Sequence, residues 1–376
     1  MKKTLHRLML GLAVVSLSTP LVTFAQTDNE LIDTRFPDLS RYLNASQVLQ
    51  AAVFDEIVAS NDSADSIIGK GLLREALIEF SQADASHYHS SSDHLAMLGP
   101  FRVFESRATP GLQAMIRRDY SAEEAEEVLE ANGSIPPLAV AVLKRGRDFA
   151  TKMIEIYLDD NLMDKHSAVD AALTDYLSDD AHSVPAQPKS SELLSEHDYA
   201  YSFRVGFPQL SGLTWASQWL QVATLEVAML SKDQNELEAG IENAIALYEE
   251  KIAPAHGGLM SLPTDIPTMP VIAPFLYGFH PGAAYVLDNI AALKVVIGDI
   301  LVHPDVPDRE RAIEEMVAKF TDKTAYLEDE TDYLFFVLRG GIFNQGGPAF
   351  GGMAESERNR SRAATGEQHI SNYPMR

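Results

Sequence analysis

The chain has 376 residues, of which 54 are Asp or Glu and 30 are Lys or Arg, giving a formal net charge of -24 at pH 7. A surface this acidic repels phosphate backbones and anionic lipid head groups, which argues against nucleic acid or a lipid surface as a partner. The chain contains no cysteine, which excludes disulfides, thiolate nucleophiles, Fe–S clusters and the Cys-x-x-Cys-His attachment of c-type haem.

The first 25 residues predict a signal peptide. Lys2, Lys3 and Arg7 form a basic start, residues 8–22 are mainly apolar, and Ala25 is a small residue at the expected cleavage point. The apolar run is short for a helix that spans a membrane, which needs ~20 residues. We therefore expect cleavage after Ala25, no integral membrane span in the mature chain, and a protein that works in the periplasm or is secreted.

Residues 26–180 are predicted to form an N-terminal helical region. Its clearest start signal is Ser121 with Glu124, a capping box in which each side chain satisfies a backbone N–H of the other residue. Pro136-Pro137 begins a long amphipathic helix that reaches Tyr157. Apolar residues at helical spacing also predict helices at residues 44–57, 72–80 and 166–177.

Residues 181–191 are polar and include Pro185 and Pro188. This composition is typical of a domain boundary or an exposed linker. We therefore expect the chain to divide here into two helical regions, the second covering residues 192–350.

The most apolar helix of that second region runs from Leu213 to Leu230 and includes Trp215 and Trp219. A helix that is apolar around most of its circumference is expected to lie at the centre of the fold. The same spacing rules predict further helices at residues 236–248 and 283–301 and a helix after Pro307 that continues to Phe320. The apolar segment 333–338 is compatible with helix or strand.

No stretch alternates between apolar and polar residues, and no segment repeats at a fixed period, so neither a sheet nor a regular solenoid is indicated. The sequence predicts an all-α, multi-helix bundle, with two packed helical bundles as an alternative. Glycine pairs between Gly340 and Gly352 mark a glycine-rich C-terminal tail, and residues 351–376 are polar and predicted to be disordered.

The densest group of potential metal ligands lies in residues 86–94 and comprises His87, His89, Asp93 and His94. Neutral imidazoles with a carboxylate suit Zn²⁺, Cu²⁺ or Ni²⁺. The spacing matches no standard zinc motif, and the four serines of the segment favour a solvated junction between a helix and a loop. Both interpretations are open at this point.

A long interruption from Ala253 to Pro281 contains six prolines. Loops longer than ~12–15 residues are uncommon in compact domains and are often binding loops or lids. His256 and His280 lie near its two ends. The N-terminus of the following helix is expected to lower the pKa of His280, which keeps the imidazole able to bind a metal or act as a base. The alternative is a rigid proline-rich crossover in which His280 is a packed capping residue.

The common hydrolase signatures Gly-x-Ser-x-Gly and His-Glu-x-x-His are absent. We therefore expect a non-enzymatic exported protein that binds a ligand or a partner protein, in a groove formed by Trp215, Trp219 and Phe279 with the proline-rich loop. The alternative is a periplasmic metal-binding protein or metalloenzyme that uses the histidine cluster, completed by His256 or His280. Whether the protein is an enzyme is open.

Overall fold

The computed structural model describes residues 30–82, 99–253, 265–338 and 346–348. Helices account for 76 % of these residues and no strand occurs among them, which confirms the predicted all-α, multi-helix fold. None of the described helices is both long and apolar enough to cross a bilayer. The predicted signal peptide, residues 1–25, and the predicted tail, residues 351–376, lie outside the described residues.

The described part contains sixteen α-helices, and a short 3₁₀ turn precedes the third. In chain order they are α1 (Glu30–Arg35), α2 (Pro37–Asp62), α3 (Ile67–Gln82), α4 (Arg102–Ile116), α5 (Ala122–Glu130), α6 (Pro137–Leu158), α7 (Lys165–Ser178), α8 (Glu192–Ser195), α9 (Ser202–Gly206), α10 (Pro208–Leu230), α11 (Gln234–Ile252), α12 (Met269–Ile272), α13 (Pro274–Phe279), α14 (Pro281–Val302), α15 (Arg309–Thr321) and α16 (Glu330–Leu338).

Two long helices, α10 and α14, form the centre of the molecule. Every side chain from residue 210 to 220 of α10 and from 283 to 293 of α14 is buried. Helix α10 packs against α2, α6 and α11, and α14 packs against α2, α6, α9 and α15. A single hydrophobic cluster extends from Ile32 to Phe320, so helices from both predicted regions share one core. The central position expected for the tryptophan-bearing helix is confirmed.

The segment 181–191 is not an exposed linker, although its composition indicated one. Val184 is fully buried and Lys189 is 6 % exposed. Asn289 on α14 donates to two carbonyl oxygens of the segment, at 3.0 and 2.9 Å, and accepts from the N–H of Lys189 at 3.0 Å. The prediction of exposure was wrong because the polar groups of this segment form hydrogen bonds with the protein instead of with water. A division into separate domains at this segment stays a prediction.

The interruption from residue 253 to 281 is partly helical. Residues 254–264 lie outside the described part, but the remainder contains the short helices α12 and α13 and leads directly into α14. Each of these three helices has a proline in its first turn. Proline has a fixed φ and no N–H, and both properties suit the first turn of a helix. The prolines therefore begin helices here, where the sequence indicated a loop.

Four buried carboxylates bind the N-termini of helices that have no capping side chain of their own. They accept backbone N–H groups at 2.6–3.2 Å. Such groups have no partner inside the helix, and a negative charge suits the positive end of the helix dipole. The four pairs are Glu105 with α10, Glu226 with α13, Asp288 with α12 and Asp299 with α9.

Burial raises the pKa of Glu105, Glu226 and Asp288 to about 7, even though each carboxylate accepts backbone hydrogen bonds that oppose the shift. The loss of hydration of the charged form is the larger effect at these positions. The helix junctions of the core are therefore sensitive to pH near neutrality.

Candidate metal centre

The structure describes four of the nine residues predicted for a site, namely Trp215, Trp219, Phe279 and His280. The other five lie outside the described residues, and their metal-binding role stays a prediction: His87, His89, Asp93, His94 and His256.

The two tryptophans lie in the core and not on an open groove. Trp219 is fully buried and Trp215 is 6 % exposed, because the all-round apolar helix α10 is enclosed by its neighbours. The Nζ of Lys251 lies 4.6 Å from the ring centroid of Trp219 and 5.8 Å from that of Trp215. Phe279, by contrast, is 63 % exposed at the end of α13. A ligand groove formed by Trp215, Trp219 and Phe279 stays a prediction.

A group of metal-ligating side chains does converge in the described part, and it consists of His166, Asp170 and His280. One potential ligand atom from each residue lies within 4.8 Å of the other two. His166 Nε2 is 3.6 Å from an Asp170 carboxylate oxygen, and the imidazole centroids of His166 and His280 are 4.7 Å apart. Tetrahedral zinc with bonds of about 2.0–2.1 Å places its ligand atoms roughly 3.4 Å apart. Small side-chain rotations would therefore bring the three atoms to coordination distance.

Two packed helices position these ligands. His166 and Asp170 are one turn apart near the N-terminus of α7, so they share a helix face. His280 immediately precedes α14, which packs against α7. Its N–H donates to the carbonyl of Leu276 at 2.8 Å, and its carbonyl accepts from Ala284 at 3.1 Å. The backbone of His280 is thus fixed by the helix on each side, which holds its imidazole against α7.

The electrostatic surroundings keep His280 available as a ligand. The residue is 6 % exposed, and burial, followed by the neighbouring His166, lowers its pKa, while Asp170 acts in the opposite direction. Neither ring nitrogen of His280 bonds to another residue in the described part of the chain. A neutral imidazole with a free lone pair is the form that binds metals.

The site is buried on one side and open on the other. Tyr157 packs near His280 with a centroid separation of 6.2 Å, and burial followed by the charge of Asp170 raises the pKa of its hydroxyl to about 12. The side chains of His166 and Asp170 are exposed. A metal would reach the three ligands from solvent and keep at least one coordination position open to water or to another molecule.

Part of this centre follows from local sequence patterns. The helix predicted at residues 166–177 already placed His166 and Asp170 one turn apart, and His280 was itself a predicted ligand. Their meeting depends on the packing of α7 against the start of α14, which no local pattern encodes. Comparison of the chain with protein-family models, curated proteins and solved structures gives no match.

Proposed function

We propose that this chain is an exported metal-binding protein whose centre comprises His166, Asp170 and His280. The observation that carries the proposal is the convergence of two imidazoles and one carboxylate from two separate helices. Export is proposed from the basic and apolar pattern of residues 1–25.

The donor set favours a divalent transition metal. Ca²⁺ and Mg²⁺ prefer oxygen ligands alone, whereas two imidazoles with one carboxylate suit Zn²⁺, Cu²⁺ or Ni²⁺. Three protein ligands leave a coordination position open, unlike the closed four-ligand shell of a structural zinc site. Together with the exposure of His166 and Asp170, this openness supports reversible binding, as in a metal carrier or a metal-dependent enzyme, and not a purely structural metal.

A second candidate, binding of a small organic ligand, is favoured by a cleft between α6 and α7. It has a volume of about 420 Å³, within the range of small-molecule sites. Phe149 and Tyr176 supply apolar surface, while Lys144, Arg145 and Asp148 supply charges of both signs. Such a lining suits a small zwitterion. Calorimetric titration with acidic, basic and neutral free amino acids tests this second candidate. The absence of binding heat with all three classes would exclude it.

The metal proposal is tested by counting bound metal in the mature protein, purified without a polyhistidine tag. After loading with Zn²⁺, Cu²⁺ or Ni²⁺ and desalting, we expect one equivalent by mass spectrometry. His280→Gln and His166→Gln should lose it. The matched control is His182→Gln, because His182, in the turn after α7, also contacts a carboxylate, Asp179 at 2.8 Å, but belongs to no three-ligand group in the described part.

A further variant separates this centre from the predicted cluster in residues 86–94. If the metal is lost on replacing His87, His89 and His94 together and kept in His280→Gln, the cluster is the site and the proposal is wrong. No bound metal in the loaded wild type would also overturn it. Co²⁺ absorption gives an independent readout, since intense visible bands that vanish in His166→Gln would report low coordination at this centre.

A further inference from the structure

Two small, adjoining cavities lie between the four central helices α2, α6, α10 and α14. Gln218, Gln221 and Lys294 line both of them; Gln50 lines the first, and Arg147 lines the second. Each has a volume of about 20 Å³, which is room for one water molecule or one monatomic ion. Most of the surrounding core is apolar, so this concentration of amide and cationic groups needs a physical explanation.

Polar groups at these cavities lack partners. Gln218 is 9 % exposed, and its Oε1 has no hydrogen bond. Arg147 pairs with Glu126 and Asp148, yet its Nη1 is buried without a partner. Lys294 forms no hydrogen bond or ion pair with any other residue in the described ranges. Lys294 is half-buried, whereas Gln218 Oε1 and Arg147 Nη1 are enclosed, and an enclosed polar group without a partner destabilises a fold.

No carboxylate neutralises Lys294 within these cavities. Asp288 lines the second cavity, but its oxygens accept the N–H of Met269, at 3.1 and 3.2 Å, and the hydroxyl of Tyr333. Burial lowers the pKa of Lys294 to about 8, so its ammonium form is still the major one at pH 7. The cavities therefore contain a positive charge without a protein counter-ion.

We propose that the joined cavities bind one small monovalent anion, for which chloride is the probe, between Lys294, Arg147 and Gln218. The two cations supply charge and N–H donors. The oxygen and nitrogen of an amide exchange places on a half-turn, so Gln218 can present its NH₂ group to the anion. The cavity volume excludes large ligands such as nucleotides. This site is separate from the metal centre and does not depend on it.

The test is thermal unfolding of the mature protein in sodium chloride and in sodium gluconate at equal ionic strength, because gluconate is too large for the cavities. We expect a saturable rise in Tm of about 2–4 °C with chloride at roughly ten times its Kd, and none with gluconate. Lys294→Met should abolish the chloride-specific rise. Lys232→Met is the matched control, since the Lys232 side chain is 84 % exposed.

Equal responses to chloride and gluconate, or an unchanged chloride response in Lys294→Met, would overturn the proposal and assign the cavities to water. If Lys294→Met does not fold, wild-type crystals grown in sodium bromide decide the question. An anomalous peak between Lys294 and Arg147 supports the anion site, and its absence at saturating bromide refutes it.

Discussion

Replacing Glu105 by Gln tests how the central helix α10 is held. Glu105 is 1 % exposed, and a single oxygen, Oε1, accepts the N–H groups of Gln209 at 2.6 Å and Leu210 at 2.9 Å. Its other oxygen is therefore free to carry a proton, and burial raises the pKa of the group to about 7. Glutamine keeps Oε1 as the acceptor and replaces the second oxygen by NH₂, so it resembles the protonated acid.

The expected effect depends on pH, and its sign follows from the raised pKa. Between pH 4.5 and about 7 the folded protein holds a proton on Glu105 that the unfolded chain releases. The contribution of Glu105 to the free energy of unfolding of the wild type therefore falls as pH rises through that window. The glutamine of Glu105→Gln has no titratable group at this position. At about 1.4 kcal/mol per pH unit, the free energy of unfolding of the wild type relative to Glu105→Gln should fall by about 3 kcal/mol.

The measurement is urea unfolding of both proteins from pH 5 to pH 8. Glu226→Gln is the matched comparison, because its two oxygens accept one N–H each, from Phe275 and Leu276 at 3.2 Å. An amide there turns its NH₂ toward one of those donors, so we expect a further loss of about 1–3 kcal/mol. A wild type that gains stability over Glu105→Gln as pH rises would refute the reasoning, since the N–H bonds would then outweigh burial.

Three further predictions concern the core, each checked by chemical unfolding. Lys294→Met should raise the free energy of unfolding by about 1–3 kcal/mol at pH 7 without chloride. Because the pKa of Lys294 is lowered to about 8, its ammonium group destabilises the fold below pH 8, and this effect disappears by pH 10.5. An unchanged free energy of unfolding in the variant would contradict this prediction. Gly146→Ala should lower the free energy of unfolding by about 1–3 kcal/mol, because the added Cβ would lie 2.8 Å from the side chain of Ile290. Adding Ile290→Val to this variant should recover part of the lost stability. Tyr333→Phe should lower the free energy of unfolding by about 1–2 kcal/mol, because the Tyr333 hydroxyl donates a hydrogen bond to the buried Asp288. An unchanged denaturant midpoint would show that this hydrogen bond contributes nothing to stability.

Helix starts were predictable where the signal lies within one turn of the chain. The capping box of Ser121 and Glu124 is present with both hydrogen bonds, and Asp233 accepts the N–H of Glu236 at the start of α11. Apolar residues around all sides of α10 correctly placed that helix in the centre. These features depend on residues three or four positions apart, so the sequence contains them in full.

Predictions failed where local composition has two physical outcomes. The polar segment 181–191 could bond to water or to the protein, and Asn289 on a distant helix decides for the protein. Prolines between residues 253 and 281 could extend a loop or begin helices, and buried carboxylates on other helices cap α12 and α13. The partner residue is remote in sequence in each case, so no window of the chain contains both halves of the interaction.

By itself, the sequence determined the helical class, the position of most long helices and the absence of thiol chemistry, because helix periodicity, capping and composition are local properties. The helix predicted at residues 166–177 spaces His166 and Asp170 by one turn, but no sequence pattern indicated them as ligands. Only the tertiary structure decided that His280 joins them and that Lys294 lies beside a cavity without a counter-ion. Such contacts depend on which helix faces pack together, and that choice is made by the whole core at once.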